Sequence, residues 1–183
     1  ALPNHQFYEN KGEKTDTNVF AKLTHAVGRQ WTVYTDVQYR WIDYKANGMQ
    51  AGQVPIDVNL NYGFFNPKAG VTFSMNPNHQ LYFSVARAHK EPNRTDFENG
   101  NPLPEELTDF ELGWRHQKSN LQFIVNAYFM DYTNQLVLTG AIDEVGAPIR
   151  TNSGSSYRLG VELELSWMMS EQWQWQSNLS LSE

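Results

Sequence analysis

The chain has 183 residues, with 14 Lys and Arg against 20 Asp and Glu for a net charge of −6. That length leaves room for one domain with a sizeable core, and a net-acidic balance argues against general nucleic-acid binding. The lack of cysteine excludes disulfide frameworks, thiol catalysis and Cys-based zinc sites, and no apolar run approaches the roughly 20 residues of a transmembrane helix.

In chain order, the first residues, Ala1-Leu2-Pro3-Asn4, carry no initiator Met, positive n-region or apolar h-region, so no signal peptide is expected. From there the dominant period is two. Residues 17–27 set Val19, Ala21, Leu23 and Val27 against Asn18, Lys22 and Thr24. Residues 31–44 set Trp31, Val33, Val37, Tyr39 and Trp41 against Thr32, Asp36, Gln38 and Arg40. Residues 66–75 separate Ala69, Val71, Phe73 and Met75 from Lys68, Thr72 and Ser74, and residues 80–89 separate Leu81, Phe83 and Val85 from Tyr82, Ser84 and Ala86. Residues 107–116 give Phe110, Leu112 and Trp114 against Asp109, Glu111 and Arg115. Residues 120–132 give Leu121, Phe123, Val125, Ala127 and Phe129 against Asn120, Gln122, Asn126 and Tyr128. Residues 157–168 give Leu159, Val161, Leu163, Leu165 and Trp167 against Arg158, Glu162, Glu164 and Ser166. Residues 172–182 give Trp173, Trp175, Leu179 and Leu181 against Gln172, Gln174, Gln176, Asn178 and Ser180. Strict alternation of this kind predicts strands with one apolar and one polar face. The last of them runs to the end of the sequence, so the chain is expected to be a piece of a longer one.

Short hairpin signals fall at 28–30, 76–79, 117–119 and 170–171, and long polar connections at about 46–65, 90–106 and 133–156. Tight turns therefore collect at one end of the strands and long loops at the other. Eight antiparallel up-and-down strands, several of ten residues or more, with loops segregated in this way predict an all-β fold, an open slice of a transmembrane β-barrel. The 14% aromatic content supplies the two interfacial girdles such a barrel needs, with Trp31, Trp114, Trp167, Trp173 and Trp175 beside short turns and Tyr39, Trp41 and Tyr44 at the far end of their strand. The alternative is a soluble β-sandwich acting as a carbohydrate-binding module through exposed Trp and Tyr. Sandwich strands are shorter, about 5–6 residues, which favours the barrel.

Several stretches then resemble one family. Phe65-Asn66-Pro67-Lys68-Ala69-Gly70 followed by Leu81 to Pro92, Phe110-Glu111-Leu112-Gly113-Trp114-Arg115, Asn126 to Tyr132, Gln135 to Gly140, Thr151-Asn152-Ser153-Gly154 and Tyr157 to Glu162 are similar in order and spacing to TonB-dependent outer-membrane receptors. The style of His89-Lys90-Glu91-Pro92 and of Tyr39 to Lys45 resembles such receptors from Bacteroidetes. The resemblance implies residence in the bacterial outer membrane and a barrel of about 22 strands around a plug. It also implies import of a scarce large nutrient, a siderophore, haem, cobalamin or a glycan, driven through the TonB system. On this reading residues 1–16 are the remnant of an extracellular loop and 17–183 a partial barrel without the plug. The partners are outer-membrane lipid, the plug and TonB system of the whole receptor and the nutrient, and the isolated piece is expected to self-associate through its open edges.

The chemistry-bearing residues fit that picture. Asp36, Gln38, Arg40, Asp109, Glu111, Arg115, Glu162 and Glu164 lie on polar faces and are expected to line the lumen. Glu162 and Glu164 are paired carboxylates, but glycosidase pairs normally come from separate elements with one acid in an apolar pocket. The five histidines lack metal-ligand spacing. The stretch Asp96 to Gly100 lacks the Asp-x-Asp-x-Asp-Gly run of a calcium loop. No enzyme, metal or cofactor is expected. Arg94, Asp96, Phe97, Asp143 and Arg150, in long loops, are the expected exposed ligand contacts.

Overall fold

The computed structural model describes residues 9–49, 55–98, 100–143 and 146–183. Its elements in chain order are β1 (Glu9–Val27), β2 (Trp31–Met49), β3 (Pro55–Asn76), β4 (His79–Lys90), α1 (Arg94–Glu98), β5 (Glu105–Lys118), β6 (Leu121–Thr133), β7 (Leu136–Ile142), β8 (Pro148–Asn152), β9 (Ser155–Ser170) and β10 (Trp173–Ser182). Eight of the strands form one antiparallel up-and-down sheet in the order β1-β2-β3-β4-β5-β6-β9-β10, and β7 and β8 pair separately. All eight expected strands are present, and the third long loop adds the β7–β8 hairpin.

Register turns the period-two pattern into two surfaces. Val27, Trp31, Phe73, Leu81, Trp114, Val125, Leu163 and Leu179 are successive cross-strand partners, one apolar row running through all eight strands. One residue along, Thr32, Thr72, Tyr82, Gly113, Asn126, Glu162 and Ser180 make the matching row on the polar face. A sandwich would bury the apolar row beneath a second sheet. Instead Val37 is 39% and Leu179 51% exposed, and Leu121, Phe123 and Leu163 are half-exposed.

The first long loop, expected over 46–65, is mostly strand: β2 runs to Met49 and β3 starts at Pro55. The expected loop over 1–16 is likewise strand from Glu9, and residues 1–8 lie outside the described ones. The alternation does not stop there; it changes phase. Up to Trp41 the odd residues of β2 are apolar, and from Ile42 the even ones are. Ile42, Tyr44 and Ala46 are buried while Asp43, Lys45 and Asn47 are exposed. β3 inverts at the same height: Ile42 pairs with Tyr62 and Ala46 with Val58. Ile42, Tyr44, Ala46 and Ile56 at and above this level, Phe64 just below it opposite Arg40, and Phe97 form the buried core, on the face that is polar lower down.

Two further devices shape the wall. Tyr34, Tyr82 and Tyr128 sit directly opposite Gly70, Gly113 and Gly160, and each ring occupies the space a Cβ on its glycine would take, with ring atoms 2.1–2.6 Å from that position. The missing side chain lets the ring lie flat across the polar face. The second device is a break in the ladder. Ser74 donates from its amide to Gln30 O, 2.7 Å away on the β2 side, so odd residues of β3 point their amides toward β4. The last β3–β4 rung is Lys68 with Ala86. The next needs a donor from Pro67, which has none. There the strands part, and the Asn66 side chain takes over: its Oδ1 accepts from the His89 amide at 3.1 Å and meets His89 Nδ1 at 2.9 Å.

Candidate functional site

At the long-loop end of the polar face, the segment after β4 folds inward over the sheet. Pro92, buried, stops β4, and α1 begins with reciprocal capping. The Asn93 amide donates to Asp96 Oδ2 at 2.8 Å and the Asp96 amide to Asn93 Oδ1 at 3.1 Å. That geometry aims Phe97 into the core, where it stacks on Tyr44 with centroids 5.6 Å apart.

Charge holds the same segment from the side. Glu91 accepts from Lys14 of β1 and lies 3.6 Å from Arg40 Nη1, while Arg40 Nη2 donates to Asp16 Oδ2 at 2.5 Å. Burial pushes the Glu91 carboxyl up. The Lys14 hydrogen bond, its own backbone amide and the charges of Lys14 and Arg40 outweigh that and hold it below the usual carboxylate range. Arg94 Nη1 donates to Asn10 Oδ1 at 2.7 Å, and its Nε lies 3.2 Å from Glu98 Oε1. Between this segment and the top of β1 opens a cleft of about 590 Å³, lined by Asn10, Lys14, Tyr44, Glu91, Pro92 and Arg94 among others. Tyr44 is buried with its hydroxyl unpartnered, as is the hydroxyl of Tyr62. Burial raises both phenols above their ordinary value.

The loop residues singled out in the sequence divide. Arg94 is exposed at the cleft. Asp96 (6%) and Phe97 (8%) are buried rather than exposed, because one caps α1 and the other anchors it. Asp143 closes the β7–β8 turn, its Oδ1 accepting from the Ala147 amide at 2.8 Å. Arg150 is exposed on β8 opposite Leu138. Asn152 joins the two long loops. It accepts from the Leu103 amide at 2.9 Å and donates to Leu103 O at 3.1 Å.

Below the cleft, register puts the remaining polar residues on one face of the sheet. Gln38 accepts from Asn66 at 3.2 Å, and Glu111 from Ser84 at 3.2 Å. Tyr82 donates to Asn126 at 3.0 Å under the Arg115 guanidinium, 5.9 Å from its ring centroid. Asp36 pairs in register with Lys68. Asp109 Oδ1 and Arg115 Nε are buried without a hydrogen-bond partner. Glu162 and Glu164 are exposed on β9, on the same face two residues apart. Among the described residues no three His, Asp or Glu side chains converge on a metal position. Lys14, Glu91 and Asn152 carried no signal in the sequence as site residues. Tyr44, expected beside Tyr39 and Trp41 in an interfacial girdle, is instead buried at the cleft on the face opposite Trp41, a place that the inverted alternation of Ile42, Tyr44 and Ala46 signals.

The TonB-dependent receptor-like β-barrel family model matches residues 1–182. No curated protein matches the chain. Solved structures do. The siderophore receptor PiuA from Acinetobacter baumannii is 18% identical with a TM-score of 0.77, over 95% of this chain and 26% of PiuA. The copper transporter OprC is 14% identical with a TM-score of 0.76, over 93% and 29%. The ferric-catecholate import receptor Fiu from E. coli K12 is 14% identical with a TM-score of 0.75, over 94% and 28%. At such identities the likeness is one of fold, and the chain spans less than a third of the length of each.

Proposed function

The chain belongs to the TonB-dependent receptor β-barrel family, whose members are bacterial outer-membrane proteins, and we propose that it forms part of the wall of a receptor that binds and imports a scarce large nutrient. The observation that carries this reading is the phase inversion at Trp41 and Ile42. An apolar band below it suits lipid. Above it a folded loop cluster with an open cleft suits capture of a ligand arriving from outside. Arg94, Asp143 and Arg150 are the proposed ligand contacts. The polar row from Asp36 to Glu164 is the proposed lumen, and Asp109 Oδ1 and Arg115 Nε, buried without partners, are the atoms a plug domain would satisfy. Energy would come through the TonB system. The two unpaired sheet edges, β1 and β10, support self-association of the isolated chain.

Among the nutrients such receptors take, a metal chelate is favoured over cobalamin or a glycan, since the solved neighbours are named for siderophores and copper. An origin in Bacteroidetes rests on sequence style alone. The test is titration of the purified full-length receptor with ferric siderophores, haem, cobalamin and oligosaccharides, read by tryptophan fluorescence. Saturable binding of a chelate is expected, weakened by Arg94→Ala with Arg150→Ala. Binding of an oligosaccharide alone would overturn the ligand class, and no saturable binding would overturn the receptor reading.

A further inference from the structure

We propose that His79 and His116 form a transition-metal site at the short-turn end of the wall, which takes a divalent ion, copper in preference to zinc, and staples β4 to β5. Register pairs the two residues directly across these strands, on the face that carries Leu81 and Trp114. Both are half-buried. Among the described residues no hydrogen bond or ion pair occupies either imidazole. His116 Nδ1 is buried without a partner. A buried nitrogen left in that way calls for an explanation, and an ion held between the rings supplies one.

The spacing of the rings fits a shared ion. Their centroids are 4.5 Å apart with planes 40° from parallel, so the contact is tilted rather than stacked. A ring nitrogen lies about 1.2 Å from its centroid and about 2.0–2.1 Å from a bound ion, so two imidazoles at about 90–109° around one ion have centroids about 4.5–5.3 Å apart. The neighbours fix the pair in place. Trp114 stacks on His79 with centroids 5.6 Å apart and planes 14° from parallel, and meets Phe123 edge-on at 5.9 Å. Just beyond the pair the Gln117 amide donates to Asn78 O at 2.8 Å, which closes the end of the ladder. Two donors positioned before the ion arrives bind it more tightly than two that must be gathered. Neutral imidazole suits both copper and zinc, and copper binds the tighter. Water completes the coordination, since no third His, Asp or Glu among the described residues joins the pair. The site stands at the opposite end of the sheet from Arg94 and the cleft, so it does not depend on what the receptor imports.

The experiment uses the untagged full-length receptor in detergent, stripped with a chelator and titrated with cupric and zinc ions by calorimetry, with tryptophan fluorescence as a second readout. Wild type should bind cupric ion at this site more tightly than zinc, and cupric ion should quench Trp114, which stacks on His79. His79→Ala and His116→Ala should each weaken that binding at least about tenfold and remove the quenching step. The double variant should lose little more than either single one, because half of the pair no longer chelates. His25→Ala, on β1, should behave as wild type. If His116→Ala does not form a heat-resistant barrel, His116→Gln replaces it, with the same loss expected. Equal cupric affinity and equal quenching in wild type, His79→Ala and the His116 variant overturn the proposal. So does a loss in the double variant that is the sum of two independent single losses, which would mean two separate histidines and no shared ion.

Discussion

The Phe97 ring of α1 stacks on Tyr44 of β2, with centroids 5.6 Å apart and planes 21° from parallel. A five-residue helix cannot hold itself by its own hydrogen bonds. The anchor must come from this ring and the capping at Asn93. Phe97→Ala removes most of it. The expected cost is about 2–4 kcal/mol for local opening, seen as faster amide exchange at 94–98 in the full-length receptor while the β5–β6 ladder keeps its protection. Phe97→Leu should lose less than half as much.

The tie between Glu91 and Lys14 gives the same segment a pH dependence. The folded carboxyl lies below its ordinary value of 4.5, so its contribution is complete above that value. It is lost as pH falls through the lower folded value. Limited proteolysis of 91–98 should therefore accelerate on going from neutral pH into the acid range below 4.5. Glu91→Gln should be cut faster already at neutral pH, by about 1–2 kcal/mol of opening free energy, and should show a flatter acid response. An unchanged acid profile in Glu91→Gln would assign the effect to another carboxylate.

The Tyr82 ring and Gly113 make a test of the wall below. A Cβ on Gly113 would lie 2.1 Å from Tyr82 Cζ, so Gly113→Ala must displace the ring and with it the bond to Asn126. The expected loss is about 1–3 kcal/mol, read as a lower unfolding temperature of the full-length barrel by gel mobility. Adding Tyr82→Ala should return part of that loss, because the clash disappears with the ring.

Asn66 replaces a missing ladder rung. Asn66→Leu leaves the His89 amide without its acceptor and removes the bonds to His89 Nδ1 and Gln38. Exchange at the His89 amide should rise by the equivalent of about 1–3 kcal/mol, with little change at Phe83 farther down the same strand.

The strands were legible wherever one face was apolar and its phase constant. From Trp31 to Trp41 simple alternation sufficed. It misled between Ala46 and Phe65, where the polar residues changed sides and the segment resembled a loop. The ladder break was readable in principle from Pro67, but its repair by Asn66 and His89 depends on register, which local sequence does not set. The cleft was the least legible. Lys14 and Glu91 lie 77 residues apart, and nothing near either names the other. The buried Asp96 and Phe97 resembled solvent-facing loop residues because a one-turn helix is too short for an amphipathic pattern.

Trp41 and Ile42 together act as a waterline. Adjacent side chains on one strand, they point to opposite surfaces, and the apolar one below the line is exposed on the outer band while the apolar one above is buried against protein. Deleting a single residue here would slide the upper half of β2 out of step with the lower. Asp43 and Lys45 would then turn into the core, and Ile42 and Tyr44 out into water. Substitutions at this line would be forgiven one at a time, but a change of length would not. In this stretch the spacing of the chain is more tightly constrained than its chemistry.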